Sequence, residues 1–132
     1  MAERIKAKAA AIFLSGKKML LTKKAACPYW IMPGGIMENG ETAEECLSRE
    51  IREELGCGIK NKGFFGAYLD EIYEKPGKKL VVLAFKAELV GKPRPLNEIL
   101  EAKYFSFQDV NRYEVASGAV AIFNDLQKRK LV

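Results

Sequence analysis

The chain predicts a single α/β or α+β domain in which helices pack on a mixed β-sheet. Three observations carry that expectation. Two stretches have helical apolar spacing, several others have strand composition bounded by Gly and Pro turns, and nothing of linker, repeat or low-complexity character separates them. At 132 residues the chain has the length of one domain, spanning 1–132, and its 48% apolar content is enough to bury one core.

From the N-terminus, residues Ile5 to Leu14 are apolar and β-compatible, Ser15-Gly16-Lys17 is a turn signal, and Lys18 to Thr22 resumes an apolar run. Together they read as a hairpin. Pro28 to Gly40 reads as a loop. Thr42-Ala43-Glu44-Glu45 is a capping box, in which Thr42 caps the helix start and the Glu45 side chain reaches back. The helix that follows stops at Gly56, suited to a left-handed C-terminal cap, with Ala43, Leu47, Ile51 and Leu55 on one stripe. Gly63 to Ile72 and Leu80 to Leu89 read as strands around a turn at 75–78, and Lys103 to Phe107 reads as another. Glu114 to Lys130 returns to helical spacing, with basic residues in its final turn, where the helix dipole favours them.

Composition then narrows the chemistry. The chain has no histidine, which excludes Ser-His-Asp and Cys-His nucleophilic catalysis and histidine-bound zinc. Cys27, Cys46 and Cys57 are odd in number and without CxxC spacing, so they read as buried reduced thiols. The apolar run at residues 9–14 is far too short for a membrane span or a signal segment, and a cytoplasmic location is expected. The net charge of +5 conceals an acidic block: between Glu38 and Glu54, seven acids face only Arg49 and Arg52, leaving the remainder strongly basic. An acidic element in a basic frame suits an anionic ligand bridged by a cation, although Lys-rich surfaces also serve solubility.

On the first helix, Glu50, Glu53 and Glu54 fall on one arc beside the apolar stripe. Like charges at i,i+3 and i,i+4 repel, and Glu53 and Glu54 sit where the dipole disfavours anions. A hard divalent cation would remove that cost, and a solvated face paired with Arg and Lys is the plainer alternative. Pro33-Gly34-Gly35 just before the helix supplies a flexible backbone whose carbonyl is a further candidate ligand.

Gly35, Glu41, Arg49, Glu50, Ile51, Glu53, Glu54 and Gly56 reproduce the box motif of the Nudix hydrolases, Gly-x5-Glu-x7-Arg-Glu-U-x-Glu-Glu-x-Gly-U, with Cys57 at the last position in place of a bulky aliphatic. The segment from residue 35 to 57 thus resembles that family, as do its approach from Trp30 to Gly35 and the stretch from Glu98 to Phe105. The resemblance implies the family's α/β/α sandwich, a mixed β-sheet with helices on both faces. It implies hydrolysis of a pyrophosphate bond in a nucleoside diphosphate linked to another group, such as a nucleoside triphosphate, ADP-ribose or a dinucleoside polyphosphate. Mg²⁺ is the implied cofactor, with Mn²⁺ as a substitute. Glu50, Glu53, Glu54 and the Gly35 carbonyl would be the metal ligands, Arg49 would orient a carboxylate, and Glu41 and Glu101 would support the site from behind. The proton acceptor would be Glu53 or Glu50, or a late-loop glutamate, Glu98 or Glu101, with Glu53 favoured and Glu98 the alternative. Trp30 and Tyr73 are the candidate substrate contacts; a tyrosine in the stretch holding Tyr73 marks some dinucleoside polyphosphate hydrolases. Hydrolysis of RNA 5′ ends and non-hydrolytic nucleotide sensing are the competing readings. RNA is the less favoured partner, no membrane partner is expected, and homodimers are frequent in the family.

Overall fold

A computed structural model describes residues 5–73 and 75–132; Met1–Arg4 and Glu74 lie outside the described residues. Among the described residues, two four-stranded sheets are flanked by two α-helices. The first sheet has the order β5-β1-β7-β6, formed by β1 (Lys6–Ile12), β5 (Gly34–Ile36), β6 (Gly58–Glu71) and β7 (Lys79–Val90). It is mixed, because β1 runs parallel to β7 while β5 and β6 are antiparallel to their neighbours. The second is antiparallel and centres on β3 (Lys18–Lys24), which pairs with β2 (Leu14–Ser15), β4 (Trp30–Ile31) and β8 (Ile99–Phe105).

The near-continuous apolar run of β1 is that of a strand covered on both faces. Ala10 and Ile12 pack with Leu126, Ile122 and Phe123 of α2 (Ser117–Lys128), while Ala9 and Ala11 pack with Leu47, Ile51 and Leu55 of α1 (Ala43–Leu55). Alternate side chains thereby serve two cores, with a helix over each, as an α/β/α sandwich requires.

The stretch from Ile5 to Leu14 does not fold back as one strand of a hairpin with Lys18 to Thr22: β1 ends at Ile12, and only Leu14–Ser15 pairs across the turn with Met19 and Lys18. The chain changes sheets near Phe13, and both runs are apolar because each is central in its own sheet. The expected loop from Pro28 to Gly40 contains β4 and β5, whose two and three residues are too few for an alternating pattern. β6 begins at Gly58 rather than Gly63, with register shifts between Asn61 and Gly63 and between Phe64 and Gly66 that break the alternation.

Candidate active site

The carboxylate-bearing helix is fixed at both ends by its own sequence. Thr42 Oγ1 accepts from the Glu45 amide at 3.1 Å, Glu45 Oε1 accepts from the Thr42 amide at 3.0 Å, and Gly56 ends α1 at φ 69°. Its inward face meets β5, where two glycines permit different close approaches. A Cβ on Gly34 would lie 2.0 Å from the Ala9 carbonyl oxygen, and one on Gly35 would lie 2.2 Å from the Glu50 carboxyl carbon. Gly34 also holds φ 136°, which L side chains rarely adopt. The Gly35 carbonyl accepts the Cys46 thiol at 3.3 Å, and burial pushes that thiol up to about 11, so it stays protonated.

Two ion-pair groups organise the acidic face. In the first, Arg49 forks onto Glu41 (Nε to Oε2 2.8 Å, Nη2 to Oε1 3.0 Å), reaches Glu50 Oε1 at 2.8 Å and lies 3.6 Å from Glu53. The hydrogen bonds from Arg49 hold the Glu41 carboxyl down to about 2. The second is built on Glu54, only 3% exposed. Its Oε1 accepts from the Gly34 amide at 3.0 Å; its Oε2 has no hydrogen-bond partner and stands 3.4 Å from Lys24 Nζ, which is also 3.4 Å from Glu98 Oε1. Burial raises the Glu54 carboxyl above its ordinary value, opposed by Lys24 and Lys8. Burial also works against the Lys24 charge, but Glu54 and Glu98 outweigh it and raise that ammonium.

The repulsion expected of crowded glutamates is therefore offset by side chains of this chain. Among the described residues, no three Asp, Glu or Cys side chains converge as a formed cation site. Glu53 is half exposed, and Glu98 is more exposed still. Glu101 sits on β8 opposite Lys23, in neither ion-pair group. Glu98 is brought to the helix by the loop before β8. The Arg94 amide donates to the Leu55 carbonyl at 3.1 Å, the Leu96 amide to Glu54 at 2.9 Å, and Asn97 Nδ2 to Glu53 at 2.7 Å. Those bonds satisfy carbonyls that a helix C-terminus otherwise leaves to water. Asn97 sits at φ 54°, a conformation that asparagine tolerates better than most residues. An isolated Asn between leucine and glutamate gives no sequence signal of that role.

Beside Gly34 and Gly35 opens a cavity of about 680 Å³, bounded by β1, the end of β6 and the start of α2. Tyr73 lines it together with Lys6, Lys8, Lys24 and Lys75. Trp30 does not: its ring is buried in the core, 5.0 Å from Phe105 and 6.2 Å from Tyr113 between centroids. Lys8 escapes sequence reading because a lone lysine in an apolar strand resembles a solvated edge residue. Its Nζ donates to the Met32 carbonyl at 2.6 Å, and burial lowers it to about 8.

Comparison with known proteins agrees with this arrangement. Residues 5–126 match the family model described as NUDIX domain. An ADP-ribose pyrophosphatase of Methanocaldococcus jannaschii is 30% identical over 96 residues, covering 70% of this chain and 57% of that protein. A NAD-capped RNA hydrolase NudC of Pseudomonas putida is 37% identical over 78 residues, covering 58% of this chain and 26% of that protein. The chain thus spans about half of the first relative and a quarter of the second. The crystal structure of a MutT protein from Methanosarcina mazei superposes with a TM-score of 0.82 at 19% identity, covering 98% of each chain, which is a likeness of fold. A family model matched over nearly the whole sequence, on a sandwich that sets the box glutamates against a Gly-Gly strand, establishes that the chain belongs to the NUDIX domain family.

Proposed function

We propose that the chain is a pyrophosphohydrolase that uses Mg²⁺, with Mn²⁺ as a substitute, to cleave a nucleoside diphosphate linked to another group. The observation that carries this reading is Glu54, a buried carboxylate with one oxygen held by the Gly34 amide and the other without a hydrogen bond. A buried, under-coordinated carboxylate oxygen one helical turn from Glu50 is the donor set that a hard cation takes. Glu50, Glu53 and Glu54, with the Gly35 carbonyl, would hold it. Bound there, the cation supplies positive charge against the phosphate oxygens.

The other roles belong to the chain's own side chains. Arg49 keeps Glu50 oriented through a charge-assisted bond, and Glu41 keeps Arg49 in place by its fork. Glu53 accepts the proton of the attacking water; Glu98, tied to Glu54 through Lys24, is the alternative acceptor. Lys24, beside Glu54 on the cavity wall, gives that end of the cavity positive charge for a phosphate chain.

Nucleoside triphosphates, ADP-ribose and dinucleoside polyphosphates are the substrate classes proposed, and the Methanocaldococcus relative's name supports the second. Hydrolysis at RNA 5′ ends is a second reading, supported by the lysines around the cavity and by the Pseudomonas relative's name. The deciding test is product chromatography over these nucleotides and 5′-triphosphorylated RNA, with Mg²⁺ and with chelator, on the wild type and Glu54→Gln. Turnover that needs the cation and is lost in Glu54→Gln is expected. A wild type that binds Mg²⁺ and nucleotide yet turns over nothing would instead favour nucleotide sensing without hydrolysis.

A further inference from the structure

Lys8 stands in a central strand whose neighbours are alanines, in register with Ile36 of β5 on one side and Val82 of β7 on the other. A charged residue is disfavoured there unless its head has work to do. Its side chain enters the cavity, and the Met32 carbonyl takes one of the three ammonium N–H groups. Among the described residues no carboxylate comes within ion-pair distance of it; Glu54 and Asp70 act on it only at longer range. Around it, Ile31, Leu80, Val82, Val115 and Val120 make much of the wall apolar. A polar head with unspent donors in an apolar-walled cavity is costly while empty of ligand and selective once filled, because a ligand that offers no acceptor leaves the donors unpaired.

The cavity also has the dimensions and position for one part of the proposed substrate. Its volume lies within the range of small-molecule sites, and its Gly34, Gly35 and Lys24 wall adjoins Glu50 and Glu54, where the phosphates would be. A flat ring would spend its faces on the apolar wall and present its edge to Lys8. We propose that Lys8 is a specificity-determining residue that donates to a ring carbonyl oxygen of the substrate's base, so that carbonyl-bearing bases such as guanine, hypoxanthine and uracil are taken in preference to adenine. The proposal rests on the hydrolase reading for its phosphate end.

The test compares kcat/KM for GTP, ITP, UTP and ATP, which share one phosphate chain, in the wild type, Lys8→Met and Lys8→Gln, after thermal melts confirm folding. Expected is a wild-type preference of about tenfold or more for at least one carbonyl-bearing nucleotide over ATP. Lys8→Met should bring that ratio to within about threefold of unity, chiefly through KM, and Lys8→Gln, which keeps an N–H donor, should restore part of it. Equal use of ATP by the wild type, or an unchanged ratio in Lys8→Met, overturns the role given to Lys8. Failure of the hydrolase reading looks different, as absence of Mg²⁺-dependent turnover on every nucleotide. Calorimetric binding of GTP against ATP to the same three proteins would then decide the assignment of Lys8 by the same ratios.

Discussion

The Lys24 ammonium stands 3.4 Å from Glu54 Oε2, the oxygen of that buried carboxylate which no hydrogen bond satisfies. One side chain thereby neutralises the most deeply buried acid of the helix without closing its coordination. Removing the ammonium leaves an uncompensated buried carboxylate, which is costly. Lys24→Met is expected to lose roughly 1–3 kcal/mol of stability in chelator, and to regain more on Mg²⁺ addition than the wild type does. Urea unfolding of both proteins with and without Mg²⁺ measures this; equal stability in chelator would mean that Lys24 is no counter-ion.

The two glycines before the helix separate fold from function. On Gly34 a Cβ would strike backbone, the Ala9 carbonyl, at a φ that only glycine adopts readily. On Gly35 it would strike the end of the Glu50 side chain, which can swing away. Gly34→Ala should therefore unfold the chain or cost several kcal/mol, about 3 or more. Gly35→Ala should fold with a loss on the order of 1 kcal/mol and yet lose most turnover, because Glu50 leaves its place beside Arg49. Melting curves beside kcat for the two variants distinguish these outcomes, and similar melting losses in both would contradict the contrast.

The helix and the placement of its glutamates were legible in the sequence because local rules govern them. Thr42, Glu45 and Gly56 act through neighbours three or four residues away, and the box spacing fixes which glutamates share a face. The partners of those glutamates were not legible. Lys24 reaches Glu54 across 30 positions of chain and Arg94, Leu96 and Asn97 reach the end of α1 from a late loop, so no periodicity announces them. The same holds for Trp30: its aromatic character suggests a stacking platform, while its place at the core is set by Phe105 and Tyr113, far along the sequence. The hairpin misreading has a related cause, since strand composition reports that β1 and β3 are central without reporting in which sheet.

Asn97 joins two functions, a left-handed turn and a side-chain bond to the Glu53 carbonyl. Asn97→Ala loses both the bond and the tolerance for φ 54°, whereas Asn97→Gly loses the bond alone. Alanine is expected to cost roughly 1–2 kcal/mol and glycine less. If Glu98 serves the reaction, both variants should also lower kcat, because the loop that carries Glu98 is tied down at its neighbour. A kcat unchanged in both would remove the loop from the chemistry.

Arg49 is the shared support of Glu41, Glu50 and Glu53, and it does so by the shape of its guanidinium. Lysine has the charge without the fork, so Arg49→Lys should rescue little of what Arg49→Ala loses. Each is expected to reduce kcat/KM by about a hundredfold, in the range typical of supports behind metal ligands. Recovery to near wild-type turnover in Arg49→Lys would mean that charge alone is what the site needs.

Lys8 gives a pH test that requires no substrate. Burial lowers its folded value to about 8 from an ordinary 10.5, with Glu54 opposing that shift, so below about pH 8 both folded and unfolded chains carry the charge and its burial cost is fully present. Between about 8 and 10.5 the folded chain has released the proton while the unfolded chain still binds it. Stability attributable to this group therefore rises with pH across that window. Lys8→Met lacks the charge at every pH, so its stability relative to the wild type should be most favourable near pH 7 and should fall by roughly 1–3 kcal/mol by pH 10.5. Chemical unfolding of the two proteins at intervals over that range reads the difference directly, and common effects of alkali cancel in it. A difference that stays level would show an ammonium already satisfied in the cavity wall, and the donors assigned to substrate recognition would then be spent before any substrate arrives.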